Sequence, residues 1–173
     1  MNVLSLFAGI KHIILDVDGV LTNGEVLLLP DGDLARTMHT KDGFAMQLAI
    51  KKGYGISVIT GGNSTAVDKR LQGLGITDVF ISVKDKVEIL HGLIEKNKLR
   101  KEEIAFIGDD IPDFDAMQLV GMPCCPSDAV PEIKQISKYI SPFEGGKGCV
   151  RDILEKILKL NGDWDVHATV PST

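Results

Sequence analysis

Residues 12–22 read HIILDVDGVLT. A short β-branched run ends abruptly in Asp16-Val17-Asp18-Gly19, which is how a buried strand hands over to a loop carrying charge at its carboxyl end. Three further segments repeat the pattern: GISVIT at 55–60, DVFIS at 78–82 and IAFIG at 104–108. Each is followed by a stretch with helical spacing of apolar residues. Helices are expected over Ala45–Lys52, Ser64–Gln72, Val87–Glu95, Ile111–Gln118 and Cys149–Leu160, with Gly53 and Gly73 as stops and Pro112 in a first turn. Strands alternating with amphipathic helices predict parallel βα units, hence an α/β fold with a sheet flanked by helices.

One segment departs from the alternation. EVLLLPDGDLARTMHT, residues 25–40, holds two extended runs around Pro30-Asp31-Gly32-Asp33, a turn-forming set. A β-hairpin projecting from the sheet, about 24–40, is expected, and the apolar Leu27–Leu29 make it a candidate subunit contact. The ending from about 162 to 173 reads as a loose tail.

The 173 residues suit a single domain spanning 1–173. Nineteen basic against twenty-four acidic residues give a formal charge of −5, so no overall positive field exists to attract nucleic acid or an anionic membrane. The opening residues show neither the basic leader nor the cleavage site of a signal peptide, and no apolar run is long enough to span a bilayer. Three cysteines, Cys124, Cys125 and Cys149, lack zinc spacing and read as buried free thiols, which fits a cytoplasmic protein.

The chemistry collects at the strand ends. Asp16 and Asp18 follow the first strand, Thr60-Gly61-Gly62 the second, and Gly108-Asp109-Asp110 the fourth. In an open parallel sheet these carboxyl ends share one edge, where ligands bind. Carboxylates gathered there repel one another, and a hard divalent cation with oxygen ligands relieves them. Asp16 and Asp109 are the natural ligands, and magnesium suits a set without His or Cys. A cation of this kind brings a phosphate to Asp16 as nucleophile, with Asp18 placed to protonate the leaving oxygen and then to activate water. Thr60 and the neighbouring backbone N–H groups can hold phosphate oxygens. Lys86 can hold both the phosphate and the Asp16 carboxylate.

The ordered set DVDGVLT, ITGG, KDKVEIL and GDDIPD resembles the four motifs of the haloacid dehalogenase superfamily, over most of the chain. The short spacer between the first two motifs leaves room for the hairpin but not for a cap domain. TKDGFAMQLAIKKGYGISVITGG (40–62) and GGKGCVRDILEKIL (145–158) are similar to the branch of 3-deoxy-D-manno-octulosonate 8-phosphate phosphatases and related nonulosonate 9-phosphate phosphatases. The resemblance implies a capless, three-layer Rossmann-like magnesium enzyme. It also implies a homotetramer whose hairpins pair across subunits. Asp16 becomes the nucleophile and Asp18 the acid/base, its backbone carbonyl joining Asp16 and Asp109 at Mg2+. Thr60, Gly61 and Lys86 match phosphate-binding positions. Asp110 is a candidate ligand through water, and Asp113 stands one step behind it.

The substrate implied is the terminal phosphate monoester of a 2-keto-3-deoxy sugar acid, consumed in surface-glycan synthesis such as that of lipopolysaccharide. Octulosonate phosphatases of this branch usually read TGR where this chain has TGG. That departure shifts weight toward the nine-carbon acid and leaves Lys69 and Arg70 as cations for the substrate carboxylate. Lys41 is a further candidate contact, and Asp42 is placed to cap the helix that follows it. Two rival readings remain: a non-catalytic oligomerisation module of the kind found with sugar-acid cytidylyltransferases, and a phosphotransferase using the same aspartyl intermediate.

Overall fold

The computed structural model describes residues 3–171. A short helix α1 (Val3–Phe7) precedes β1 (His12–Leu15), the hairpin strands β2 (Leu27–Leu28) and β3 (Leu34–Ala35), and helix α2 (Thr40–Lys51). Then follow β4 (Gly55–Ile59), α3 (Thr65–Gly73), β5 (Asp78–Phe80), α4 (Lys86–Asn97), β6 (Ile104–Ile107) and α5 (Phe114–Gln118). The chain closes with β7 (Met122–Cys125), α6 (Pro131–Ile136), β8 (Tyr139–Ile140) and α7 (Cys149–Leu160).

Among the described residues the main sheet has six strands in the order β5-β4-β1-β6-β7-β8. Every neighbouring pair is parallel. The chain builds outward from β1 through β4 to β5 and then returns to place β6 on the other side of β1. That reversal opens a crevice at the carboxyl ends of β4, β1 and β6.

Side-chain alternation along the strands divides the core in two. Ile13 and Leu15 of β1, with Ala105 and Ile107 of β6, face α2, α3 and α7. Ile14 of β1 and Phe106 of β6 face α4, α5 and α6. Both faces are covered, which is why these strands read as continuous apolar runs. Burying each such Ile or Leu contributes about 1.5–3 kcal/mol.

Helix α2 starts five residues earlier than its apolar spacing suggests. His39 caps it, its Nδ1 accepting from the Lys41 N–H at 3.2 Å. The stretch expected as one helix from Ile111 opens as a 3₁₀ turn over Ile111–Asp113 before α5. In the hairpin, β2 and β3 pair antiparallel with Leu27 opposite Ala35. Leu27 and Leu28 are 65% and 74% exposed.

The segment expected as a loose tail lies against the body of the protein. The Tyr54 hydroxyl donates to Asp163 at 2.7 Å. Arg151 stacks over the Trp164 ring, 4.5 Å from its centroid, and Lys51 donates to the Thr169 carbonyl at 3.0 Å. Residues 172–173 of that expected tail lie outside the described residues.

Asp42 does not cap its own helix. Its Oδ1 accepts from the Arg151 N–H at 2.7 Å, so a carboxylate on α2 serves the amino end of α7, where Gly148 has no side chain to offer. Burial raises the Asp42 pKa from 3.8 to about 6, against the hydrogen bond from the Arg151 backbone. Because the folded protein holds this proton more tightly than the unfolded chain, ionisation burdens the fold as pH rises from about 4 to about 6.

Asp42→Asn removes that burden. Wild-type stability relative to Asp42→Asn, measured by urea unfolding, is expected to fall as pH rises from 4 to 7, by about 3 kcal/mol at most. Parallel pH profiles for the two proteins would rule out an ionising Asp42.

Candidate active site

The first-strand loop is built by hydrogen bonds that turn it sharply. The Asp16 N–H continues the ladder to the Ile107 carbonyl at 3.0 Å, after which Val20, Leu21 and Thr22 all donate to the Val17 carbonyl. Gly19 sits in this turn at φ +89°, and a Cβ there would lie 2.0 Å from Asp109 Oδ2. Only glycine lets the loops after β1 and β6 meet so closely. Gly108 does the same for Asp113, whose side chain would be 2.6 Å from a Cβ at that position.

Asp16, Asp109 and Asp113 thereby bring one carboxylate oxygen each within 4.8 Å of one another. Asp16 is 8% exposed and Asp113 fully buried. Lys86, the first residue of α4, points into the group, with Nζ 2.9 Å from Asp16 Oδ1 and 2.6 Å from Asp113 Oδ1. The other Asp113 oxygen accepts from the Asp109 N–H at 3.1 Å. Both oxygens of Asp113 are thus engaged, so it fixes Lys86 and the Asp109 loop.

Burial raises the Asp16 pKa to about 6, with Asp113 adding to the effect and Lys86 opposing it. Asp109 rises to about 8 through burial and the charges of Asp16, Asp113 and Asp110. Burial works against charge on Lys86, yet the two carboxylates outweigh it and hold its pKa above the usual value. Asp109 Oδ1 is buried and has no hydrogen-bond partner among the described residues. An all-oxygen donor set with one orphaned buried oxygen and surplus negative charge fits a hard divalent cation held by Asp16 and Asp109.

Of the remaining expected residues, Asp18 and Thr60 line one small pocket together with Arg36. Thr60 ends β4, is 4% exposed, and its Oγ1 accepts from the Gly62 N–H at 3.1 Å. Gly61 is exposed beside it. Asp18 is half-buried at the crevice mouth. Asp110 is exposed and caps the following turn, its Oδ1 accepting from the Ile111 N–H at 2.8 Å. On α3, Arg70 is half-buried and lines a cleft toward the hairpin, whereas Lys69 is exposed and does not line that cleft. The segment 145–148 lies on the first-strand loop, the Gly146 N–H donating to the Val20 carbonyl at 2.9 Å.

Sequence reasoning missed Arg36. Its guanidinium makes a two-point pair with Asp18, Nε to Oδ1 at 2.6 Å and Nη2 to Oδ2 at 3.1 Å. No local spacing announces a contact that depends on how the hairpin folds back. The direct grip of Asp113 on Lys86 was also beyond reach, although Gly108 five residues before the final GDDIPD carboxylate is a usable signal for close approach.

A family model for haloacid dehalogenase-like hydrolases matches residues 29–121. The chain is 30% identical over 164 residues to the 3-deoxy-D-manno-octulosonate 8-phosphate phosphatase KdsC of Escherichia coli K12, covering 95% of this chain and 87% of the relative. The crystal structure of the same phosphatase from Yersinia pestis superposes with a TM-score of 0.91 at 29% identity, over 93% of this chain and 87% of that one. The Moraxella catarrhalis phosphatase, solved in complex with a magnesium ion, a phosphate ion and a KDO molecule, gives 0.90 at 31% identity, over 93% and 92%.

Millimolar Mg2+ is expected to raise the thermal midpoint of the wild-type protein, since a ligand present at a hundred times its Kd adds about 2.7 kcal/mol. Asp109→Asn keeps the shape of the site and should lose that shift. An equal Mg2+ shift in both proteins would place the ion elsewhere.

Proposed function

This chain belongs to the haloacid dehalogenase-like hydrolases, and from that premise we propose that it is a Mg2+-dependent phosphatase of 2-keto-3-deoxy sugar acid phosphates. The observation that carries the reading is the buried Asp16 carboxylate facing Asp109 and Lys86 where the strand order reverses. A charge arrangement of this kind has a use: it presents one oxygen anion to phosphorus among groups that hold the phosphate.

The Asp16 carboxylate attacks phosphorus in line, and the bond from phosphorus to the ester oxygen breaks. Asp18 gives its proton to that departing oxygen, releasing the sugar acid. Asp18 then takes a proton from water as the water attacks phospho-Asp16, and inorganic phosphate leaves with Asp16 restored. The Thr60 hydroxyl, the Gly61 N–H and the Lys86 ammonium hold the phosphate oxygens throughout. Asp16, Asp109 and the Asp18 carbonyl would hold a Mg2+ ion, to which Asp110 would contribute through water. The bound ion supplies charge neutralisation that lets an anionic ester approach an anionic nucleophile. Lys69 and Arg70 are the α3 cations proposed to attract the substrate carboxylate, Arg70 from within the cleft and Lys69 from outside it.

The relatives named as octulosonate 8-phosphate phosphatases favour the eight-carbon acid, while Gly62 favours the nine-carbon acid. A homotetramer assembled through the hairpins is proposed as well, which the exposed Leu27 and Leu28 support, together with a cytoplasmic location.

Asp16→Asn should reduce turnover in Mg2+ below detection, and full activity in that variant would exclude Asp16 as nucleophile. The kcat/KM values for the eight-carbon 8-phosphate and the nine-carbon 9-phosphate are expected to differ at least tenfold, about 1.4 kcal/mol in transition-state binding. Equal values would mean that the site reads only the shared acid end and the phosphate.

A further inference from the structure

The cation that grips Asp18 comes from the hairpin. Arg36 directly follows β3, and its Nη1 donates to the Leu34 carbonyl at 2.9 Å, which ties the guanidinium to the hairpin. Nε and Nη2 engage both oxygens of Asp18. The Arg36 side chain is 9% exposed and that of Asp18 is 37% exposed, so the pair closes the crevice mouth from the hairpin side.

Two features give this guanidinium a second place to act. It lines a cleft of about 390 Å³ between β3 and the start of α3, together with Met38, Ser64, Val67 and Arg70. Gly62 leaves the inner side clear: a Cβ there would lie 3.7 Å from Arg36 Nη2 and 3.6 Å from Asp18 Oδ2. A longer side chain at 62 would grow toward both groups. Both oxygens of Asp18 are engaged by the guanidinium. The partner best able to displace a carboxylate from a planar guanidinium fork is another carboxylate of the same geometry.

We propose that Arg36 is a specificity-determining residue that exchanges partners. The carboxylate of the sugar acid enters the cleft between β3 and α3, takes over the guanidinium, and so frees Asp18 to turn toward the leaving oxygen. A phosphate ester without a carboxylate leaves the pair closed and is turned over slowly. The inference rests on the sugar-acid reading of the substrate.

The test compares kcat/KM in Mg2+ for a 2-keto-3-deoxy sugar acid phosphate and for a neutral hexose 6-phosphate, in the wild type, Arg36→Gln and Arg36→Lys. The wild type should prefer the acid. Arg36→Gln should lose at least tenfold of that preference, because hydrolysis of the acid falls while that of the neutral ester holds or rises. Arg36→Lys keeps the charge without the fork and should fall between them; it also supplies the comparison if the Gln variant does not fold. An unchanged preference in the variants, including an equal loss on both esters, overturns the role of Arg36. A wild-type enzyme with no preference for the acid overturns the substrate reading, and the Arg36 proposal with it.

Discussion

Three carboxylates and one ammonium share a crevice that water barely enters, and most of the architecture follows from accommodating them. At 4 Å two like charges repel by about 4 kcal/mol in surroundings of effective dielectric 20. Asp16, Asp109 and Asp113 repel pairwise, while Lys86 reaches only Asp16 and Asp113. The residue left over is Asp109, whose inner oxygen has no partner among the described residues and whose pKa is driven to about 8. Burial and its neighbours disfavour charge on such a group, and a divalent cation would favour it. The fold keeps the cluster together through glycine at Gly19 and Gly108, where any side chain would collide with Asp109 or Asp113.

The hairpin occupies the chain between β1 and α2, and among the described residues it is the segment nearest the rim of the site. Arg36 brings a guanidinium from the hairpin to Asp18, and Arg70 brings another from α3 to the same cleft. Helix α7 links α2 to the first-strand loop. Asp42 on α2 holds the start of α7, the 145–148 segment lies between α7 and the first-strand loop, and Cys149 donates to the Val20 carbonyl. Trp164 and the closing segment fasten the outer side of the same helix pair.

Sequence patterning reads best where burial is two-sided. β1, β4, β5 and β6 are β-branched runs ending in polar residues, and their positions match the reading to within two residues. β7 escaped because Pro123 interrupts a run of Met and Cys, and β8 because two residues carry no period. The start of α2 was hidden by a polar first turn containing Gly43. Within the site, Asp16, Asp109, Thr60 and Lys86 were legible since each marks the end of a strand or the start of a helix. Arg36 and the cross-helix role of Asp42 were not. Their partners lie 18 and 109 residues away, and only the folded chain brings them into reach.

Asp16 is proposed to become covalently bound to phosphorus while Lys86 holds the phosphate. Quenching the enzyme in acid during turnover with Mg2+ and a sugar acid phosphate, then reducing with borohydride, converts an aspartyl phosphate to homoserine. The expected result is that mass change on the peptide containing Asp16, dependent on both Mg2+ and substrate. No change during active turnover, or the change at Asp18 or Asp109 instead, would contradict it.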